Sequence, residues 1–179
     1  MNLTDKHPLV DRLTQGNRQY RNTLDKALLE QTAEHGQHPY AIIICCSDSR
    51  VIPEQIFHVG IGDLFVIRVA GNVLDRHQLG SIEYAAAHLG CQFIVLLGHT
   101  KCGAVSAALS GHSEGFISYI VDDILDAVGD ERDEDSACRK NVLHGVARIK
   151  DDLSEHPEIK DLQVFGAIYD IKTGMVEWL

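Results

Sequence analysis

The chain carries, at positions 40–46, the run Tyr40-Ala41-Ile42-Ile43-Ile44-Cys45-Cys46. The run is continuously apolar, is rich in β-branched side chains and does not alternate with polar residues. Such a pattern is typical of a strand that is buried on both faces, as the strands of a parallel sheet are. Similar runs recur at residues 64–67 and 93–97. The pattern therefore predicts three strands of a mostly parallel sheet.

Segments with helical spacing alternate with these strands along the chain. The predicted helices lie at residues 81–89, 102–111 and 136–153. Two later strands are predicted at residues 162–171 and, after a turn at residues 172–174, at the C-terminus. Strands that alternate with helices indicate crossover connections. We therefore expect an α/β fold whose mostly parallel β-sheet is flanked by helices.

The remaining segments complete a single domain of 179 residues. Residues 1–40 are polar with apolar side chains near helical spacing, which predicts an N-terminal helical arm ahead of an α/β core at residues 41–179. Residues 122–135 are strongly acidic, and we expect a solvated helical face there with a turn at Gly129. They lack the spacing of a calcium-binding loop.

Composition and charge exclude several classes of protein. The net charge of −10 argues against binding to nucleic acid or to an anionic membrane surface. No apolar run is long enough to span a membrane, and the N-terminus lacks the apolar run of a signal peptide, so we expect a cytoplasmic protein. The odd number of cysteines, five, favours metal binding or reduced thiols over a disulfide framework.

Two short motifs carry the chemistry of the chain, Cys46-Ser47-Asp48-Ser49-Arg50 and His99-Thr100-Lys101-Cys102-Gly103. Two thiols and one imidazole supply three of the four ligands that zinc prefers, and they leave one position for chemistry. Both motifs follow apolar strands, at the edge where open α/β sheets bind ligands. We therefore predict a catalytic zinc ion held by Cys46, His99 and Cys102.

Asp48 and Arg50 complete the predicted site. Alternation along an extended chain places residues 46, 48 and 50 on one side and turns Cys45 into the core. Two thiolates neutralise the charge of zinc, so a zinc-bound hydroxide needs a helper, and Asp48 can accept its hydrogen bond. Arg50 can hold Asp48 ionised through a bidentate pair of hydrogen bonds. Asp48 is also a candidate fourth ligand in a closed form of the site.

Cys-x-Asp-x-Arg, followed about fifty residues later by His-x-x-Cys-Gly, resembles the β-class carbonic anhydrases. The resemblance is strongest over residues 37–111. It implies the reversible hydration of carbon dioxide to bicarbonate and a proton, with one zinc ion per chain. It places the zinc ligands on Cys46, His99 and Cys102, and the catalytic dyad on Asp48 and Arg50.

The same resemblance implies a substrate pocket and an assembly. Gln37, Phe65, Tyr84 and Gly103 match positions that line an apolar cleft for carbon dioxide, shared across a homodimer interface. The N-terminal helices are expected to extend onto a partner subunit, in a dimer or a multiple of dimers. Ile43 stands where bicarbonate-locked members carry a tryptophan, which implies the form with an accessible zinc.

Two other functions are compatible with these residues. The same fold hydrolyses carbonyl sulfide or carbon disulfide in related proteins. A non-enzymatic zinc protein that senses oxidation is a further alternative, because two thiolates can release a metal when they are oxidised. The Asp48–Arg50 pair disfavours this alternative, since a purely structural zinc site has no use for it.

Overall fold

The computed structural model describes residues 7–154, 156, 159 and 162–179. The first six residues of the predicted N-terminal arm lie outside this range. The chain divides into two compact units, residues 1–37 and 38–179. In the described part of the chain, no helix is both long and apolar enough to cross a membrane.

The first unit is helical, as predicted, and consists of α1 (Pro8–Thr23) and α2 (Lys26–His35). Asp25 caps α2 by accepting hydrogen bonds from the N–H groups of Ala27 and Leu28. Neither helix contains a buried residue. The apolar side chains exposed on α1 are Leu9, Val10, Leu13 and Tyr20. Whether they cover a partner subunit stays a prediction.

The second unit is built on one five-stranded sheet. Its strands are β1 (Ala41–Cys45), β2 (Leu64–Arg68), β3 (Phe93–His99), β4 (Gln163–Tyr169) and β5 (Val176–Trp178). Its helices are α3 (Pro53–Ile56), α4 (Arg76–Leu89), α5 (Gly103–Leu109), α6 (Ile117–Val128) and α7 (Glu134–Leu153), with a 3-10 turn at Ala70–Asn72. The strand order is β2-β1-β3-β4-β5, and only β5 is antiparallel to its neighbour. The predicted α/β class is confirmed.

β1 lies inside the sheet and is buried on both faces, which explains its unbroken apolar sequence. Ile42 and Ile44 belong to the larger core, which α4, α5, α6 and α7 cover. Ala41, Ile43 and Cys45 face the opposite side, in a smaller core that includes Ile56 of α3. Cys45 therefore occupies the packed position that alternation predicts.

The pairing of β1 with both β2 and β3 makes the carboxyl end of β1 a switch point of the sheet. β1 pairs in parallel with β3 from Ile42↔Ile94 to Cys45↔Leu97, and with β2 on its other side. The chain therefore moves from β1 to one side and then returns to the other. In open α/β sheets, the carboxyl ends of two strands at such a switch point flank the ligand-binding crevice.

The acidic segment differs in part from its prediction. Gly129 ends α6 with a positive φ of 59°, as the predicted turn requires, and its N–H donates to the carbonyl of Leu125. The segment is more than a solvated face, however, because Ile124 and Val128 are buried in the core. Asp122, Asp123 and Asp126 belong to this amphipathic helix, which begins before the acidic run at Ile117, and the later acidic residues lie after it, in the connection and at the start of α7.

Close packing between β3 and α7 generates a testable prediction. A Cβ atom on Gly98 would lie 2.5 Å from Cγ2 of Val142 and 2.9 Å from Cδ1 of Ile168. Gly98→Ala should therefore lower the free energy of unfolding by about 1–3 kcal/mol, as overpacked cores do. Gly80→Ala is the matched control, because Gly80 lies inside α4 with open space around the added atom.

Gly80→Ala should raise the free energy of unfolding by about 0.5–1 kcal/mol, because alanine reduces the entropy of the unfolded chain. Urea denaturation followed by circular dichroism measures both variants. Equal stabilities for Gly98→Ala and the wild-type protein would show that α7 and β3 are less tightly packed than described.

Candidate metal centre

The structure brings the three predicted metal ligands together. Cys46 directly follows β1, His99 is the last residue of β3, and Cys102 is the N-cap of α5. Their ligand atoms lie within 4.8 Å of one another, and all three residues are buried. The switch point between β1 and β3 explains this convergence, because both strands deliver their following residues to one crevice.

One hydrogen bond of the His99 ring leaves its other nitrogen free to bind a metal ion. Its Nδ1 lies 2.9 Å from the carbonyl oxygen of Thr100, and only a protonated Nδ1 can donate to that oxygen. The lone pair is therefore on Nε2, which is buried and has no hydrogen-bond partner among the described residues. Metal-bound histidines typically show this arrangement, with the other ring nitrogen donating to a carbonyl or carboxylate.

The contact between the thiols of Cys46 and Cys102 shifts their pKa values in opposite directions. A hydrogen bond from the Cys102 thiol lowers the pKa of Cys46. The same contact, together with burial, raises the pKa of Cys102. A metal ion binds both residues as thiolates, so its binding releases the protons that they carry. An orphaned imidazole nitrogen beside this pair of sulfurs fits a zinc ion.

Asp48 and Arg50 form the expected bidentate pair beside these ligands. Arg50 donates from Nε to Oδ1 of Asp48 at 2.9 Å and from Nη2 to Oδ2 at 2.6 Å. These bonds hold the pKa of Asp48 well below its usual range. Arg50 Nη2 also donates to the carbonyl of Lys101 at 3.2 Å, so the pair reaches the second motif.

The reason for this pairing differs from the sequence argument. β1 ends at Cys45, and the following residues do not continue the extended alternation. The N–H of Arg50 donates to Oδ1 of Asp48 at 2.9 Å, and the N–H of Val51 donates to the Asp48 carbonyl. A turn capped by its own aspartate therefore brings the two side chains together.

Arg68, at the end of β2, is a contributor that sequence reasoning did not assign. Its Nε donates to the carbonyl of Cys46 at 3.2 Å, and its Nη2 donates to the carbonyl of Asp48 at 2.7 Å. It thus ties the backbone of the first motif to the neighbouring strand. A charged residue that ends an apolar strand was the available signal, but only the β1–β2 register, which pairs Cys45 with Arg68, identifies its partners.

Of the four predicted pocket residues, Phe65 and Tyr84 contact each other, and Gly103 and Gln37 lie on other parts of the chain. The ring centroids of Phe65 and Tyr84 lie 6.2 Å apart. Tyr84 lies on α4, and 47% of its surface is exposed. Gly103 begins α5 next to Cys102, and open space lies where its side chain would be. Gln37 is exposed at the end of the helical unit. The substrate-binding roles of these four residues stay predictions.

Comparisons with known proteins agree with this geometry. The carbonic anhydrase family model matches residues 41–176. Carbonic anhydrase 2 of Mycobacterium tuberculosis is 55% identical over 80 residues, which are 45% of this chain and 39% of that protein. The aligned part thus spans less than half of the length of this relative. The carbonic anhydrase of Synechococcus elongatus is 32% identical over 92% of this chain and 70% of that protein.

A solved structure is similar over nearly the whole chain. It is a crystal structure of one of two tetrameric β-carbonic anhydrases from the filamentous ascomycete Sordaria macrospora. The similarity has a TM-score of 0.79 and a sequence identity of 29%, and it covers 97% of this chain and 98% of that one. The chain therefore belongs to the β-class carbonic anhydrase family.

Proposed function

We propose that this protein is a zinc-dependent carbonic anhydrase that interconverts carbon dioxide and bicarbonate. The observation that carries the proposal is the buried Cys46–His99–Cys102 group beside the ion pair of Asp48 and Arg50. A structural zinc site would use a fourth cysteine or histidine, and the described residues offer none within this group. The named relatives act as carbonic anhydrases, which supports the same reaction here.

The metal would supply Lewis acidity, which makes water a nucleophile near neutral pH. Asp48 is suited to orient that nucleophile, because its carboxylate is ionised and its side chain is only 17% exposed. Arg50 keeps the pKa of Asp48 well below its usual range, so Asp48 remains a hydrogen-bond acceptor and does not retain the proton. The proton therefore leaves to buffer or to another group of the protein.

Arg50 also governs whether Asp48 can become a fourth metal ligand. Both carboxylate oxygens of Asp48 accept hydrogen bonds from Arg50. A closed form in which Asp48 binds the metal requires at least one of these bonds to break. We infer that the intact pair favours the open form, in agreement with the accessible zinc that Ile43 implies.

The substrate and the assembly are part of the proposal. Phe65, Tyr84 and Gly103 are proposed to line an apolar cleft for carbon dioxide that is shared across a homodimer interface, where Gln37 is proposed as an amide donor. The exposed apolar residues of α1, and the tetrameric relatives from Sordaria macrospora, support a homodimer or a multiple of dimers. Light scattering coupled to gel filtration measures the mass of the assembly.

Metal binding generates the first prediction. Cys46→Ala should reduce the zinc content from one ion per chain to near zero, because two ligands hold zinc poorly. Cys45→Ala is the matched control, since Cys45 is the adjacent buried cysteine and faces the other side of the sheet. Elemental analysis after dialysis measures both. Zinc retained by Cys46→Ala, or lost equally from Cys45→Ala, would exclude the proposed ligand set.

The role of Asp48 generates the second prediction. Asp48→Asn should retain zinc but lower kcat for carbon dioxide hydration by about 10²-fold or more, because an amide can no longer serve as an anionic acceptor. Stopped-flow assays with a pH indicator measure the rate. Asp63→Asn is the control, because the carboxylate of Asp63 serves a turn by accepting the N–H of Gly60.

Full hydration activity in Asp48→Asn would contradict the proposed role of the dyad. A wild-type protein that hydrolyses carbonyl sulfide or carbon disulfide and does not hydrate carbon dioxide would replace the substrate and leave the site unchanged. A wild-type protein that binds zinc and transforms none of these substrates would favour the metal-sensing alternative.

A further inference from the structure

The sulfur of Cys46 receives a hydrogen bond from a backbone segment outside both sequence motifs. The N–H of Gly71 donates to Sγ of Cys46 at 3.3 Å. Gly71 lies in the 3-10 turn after β2 and has a positive φ of 69°. A Cβ atom there would lie 2.9 Å from Cδ1 of Ile124 and 3.0 Å from the Cβ of Ala104. The backbone of Gly71 therefore fills a tight space beside the thiol.

The other side of Gly71 is held by a buried side chain of α7. Nδ2 of Asn141 donates to the carbonyl oxygen of Gly71 at 2.8 Å, across seventy positions of sequence. Asn141 is only 5% exposed, and the described residues contain just two other buried polar side chains, Asn72 and His99. A buried amide is costly unless it is hydrogen-bonded, so this contact is specific.

Asn141 lies where the apolar interior beside α7 meets a small cavity, which Asn72, Asp123, His144 and Arg148 also line. Its neighbours along the buried face of α7, Cys138, Val142 and Gly145, all belong to the apolar interior. The hydrogen-bonding capacity of Asn141 is directed to one residue, and that residue donates to Cys46.

We propose that Asn141 is a positioning residue of the metal centre. By holding the carbonyl of Gly71, it keeps the Gly71 N–H directed at the sulfur of Cys46. A hydrogen bond to a thiolate withdraws electron density from the sulfur, so the ligand donates less charge to a bound metal. Two thiolates otherwise neutralise a divalent ion, and this contact restores part of its Lewis acidity. The inference rests on the proposed function in requiring Cys46 to be a metal ligand.

The test uses the cobalt(II)-substituted protein, because thiolate-to-cobalt charge-transfer absorption reports electron density on the sulfur without an activity assay. Asn141→Leu removes the amide at similar volume, and Asn141→Ala removes it with a smaller side chain. We expect both variants to shift the charge-transfer band to longer wavelength. Chelator competition should show cobalt affinity reduced by about tenfold, because Cys46 is no longer held in position before the metal binds; this is the lower end of the usual effect of outer-shell substitutions.

Ile149→Val is the matched control, because it trims a fully buried side chain of α7 and leaves Gly71 untouched. It should retain the wild-type band and affinity, which separates a loss of packing from a loss of orientation. If Asn141→Leu does not fold, Asn141→Ala carries the test alone, because it removes the same donor and adds no bulk to the core.

The possible outcomes distinguish a failure of the metal centre from a failure of the role of Asn141. A wild-type protein without thiolate-to-cobalt absorption would overturn the metal centre, and this inference with it. A wild-type protein with the absorption, together with Asn141 variants whose band and affinity match those of Ile149→Val, would overturn only the role of Asn141.

Discussion

The parallel pairing of β1 with β3 is the constraint on which the rest of the candidate metal centre depends. The register places Cys45 opposite Leu97, so the chain leaves both strands at the same edge of the sheet. Cys46 follows immediately on one strand, and His99 ends the other. A shift of one residue in either strand would exchange its two faces and direct a ligand into the opposite core. Every residue of β1 is buried, so a slip of this strand would require the packing of both cores to change.

Backbone groups hold most of the site in place. The carbonyls of Cys46 and Asp48 accept from Arg68, the carbonyl of Thr100 accepts from His99, and the N–H of Gly71 donates to the Cys46 sulfur. Main chain anchored in a sheet is rigid, and it fixes the ligands more firmly than a network of flexible side chains. Asp48 and Arg50 can then remain partly exposed and reach the substrate, which is how the proposed function uses them.

The strands, and the three side chains that meet as candidate ligands, were predictable because their signals are local. Seven consecutive apolar residues ending at Cys46 identify a buried strand, and a His-x-x-Cys spacing lets two ligands meet within one turn. The Asp48–Arg50 pair was predicted for a different reason from the one found, since a turn replaces the extended chain. Both backbone conformations bring the two side chains together, so the ion pair was predicted correctly although the assumed backbone conformation was wrong. The amphipathic start of α6 was missed, because the acidic run at residues 122–135 dominated the pattern.

The sequence by itself determined the α/β class, the three candidate ligands and the acid–guanidinium pair, because each depends on periodicity or spacing within a few residues. Only the tertiary structure decided the strand order and left Nε2 of His99 without a hydrogen-bond partner among the described residues. It also decided the hydrogen bonds from Arg68 to the first motif and from Asn141 to Gly71. These features join residues that lie far apart along the chain. Their partners are selected by the free energy of packing the whole sheet against its helices, and no local pattern records that choice.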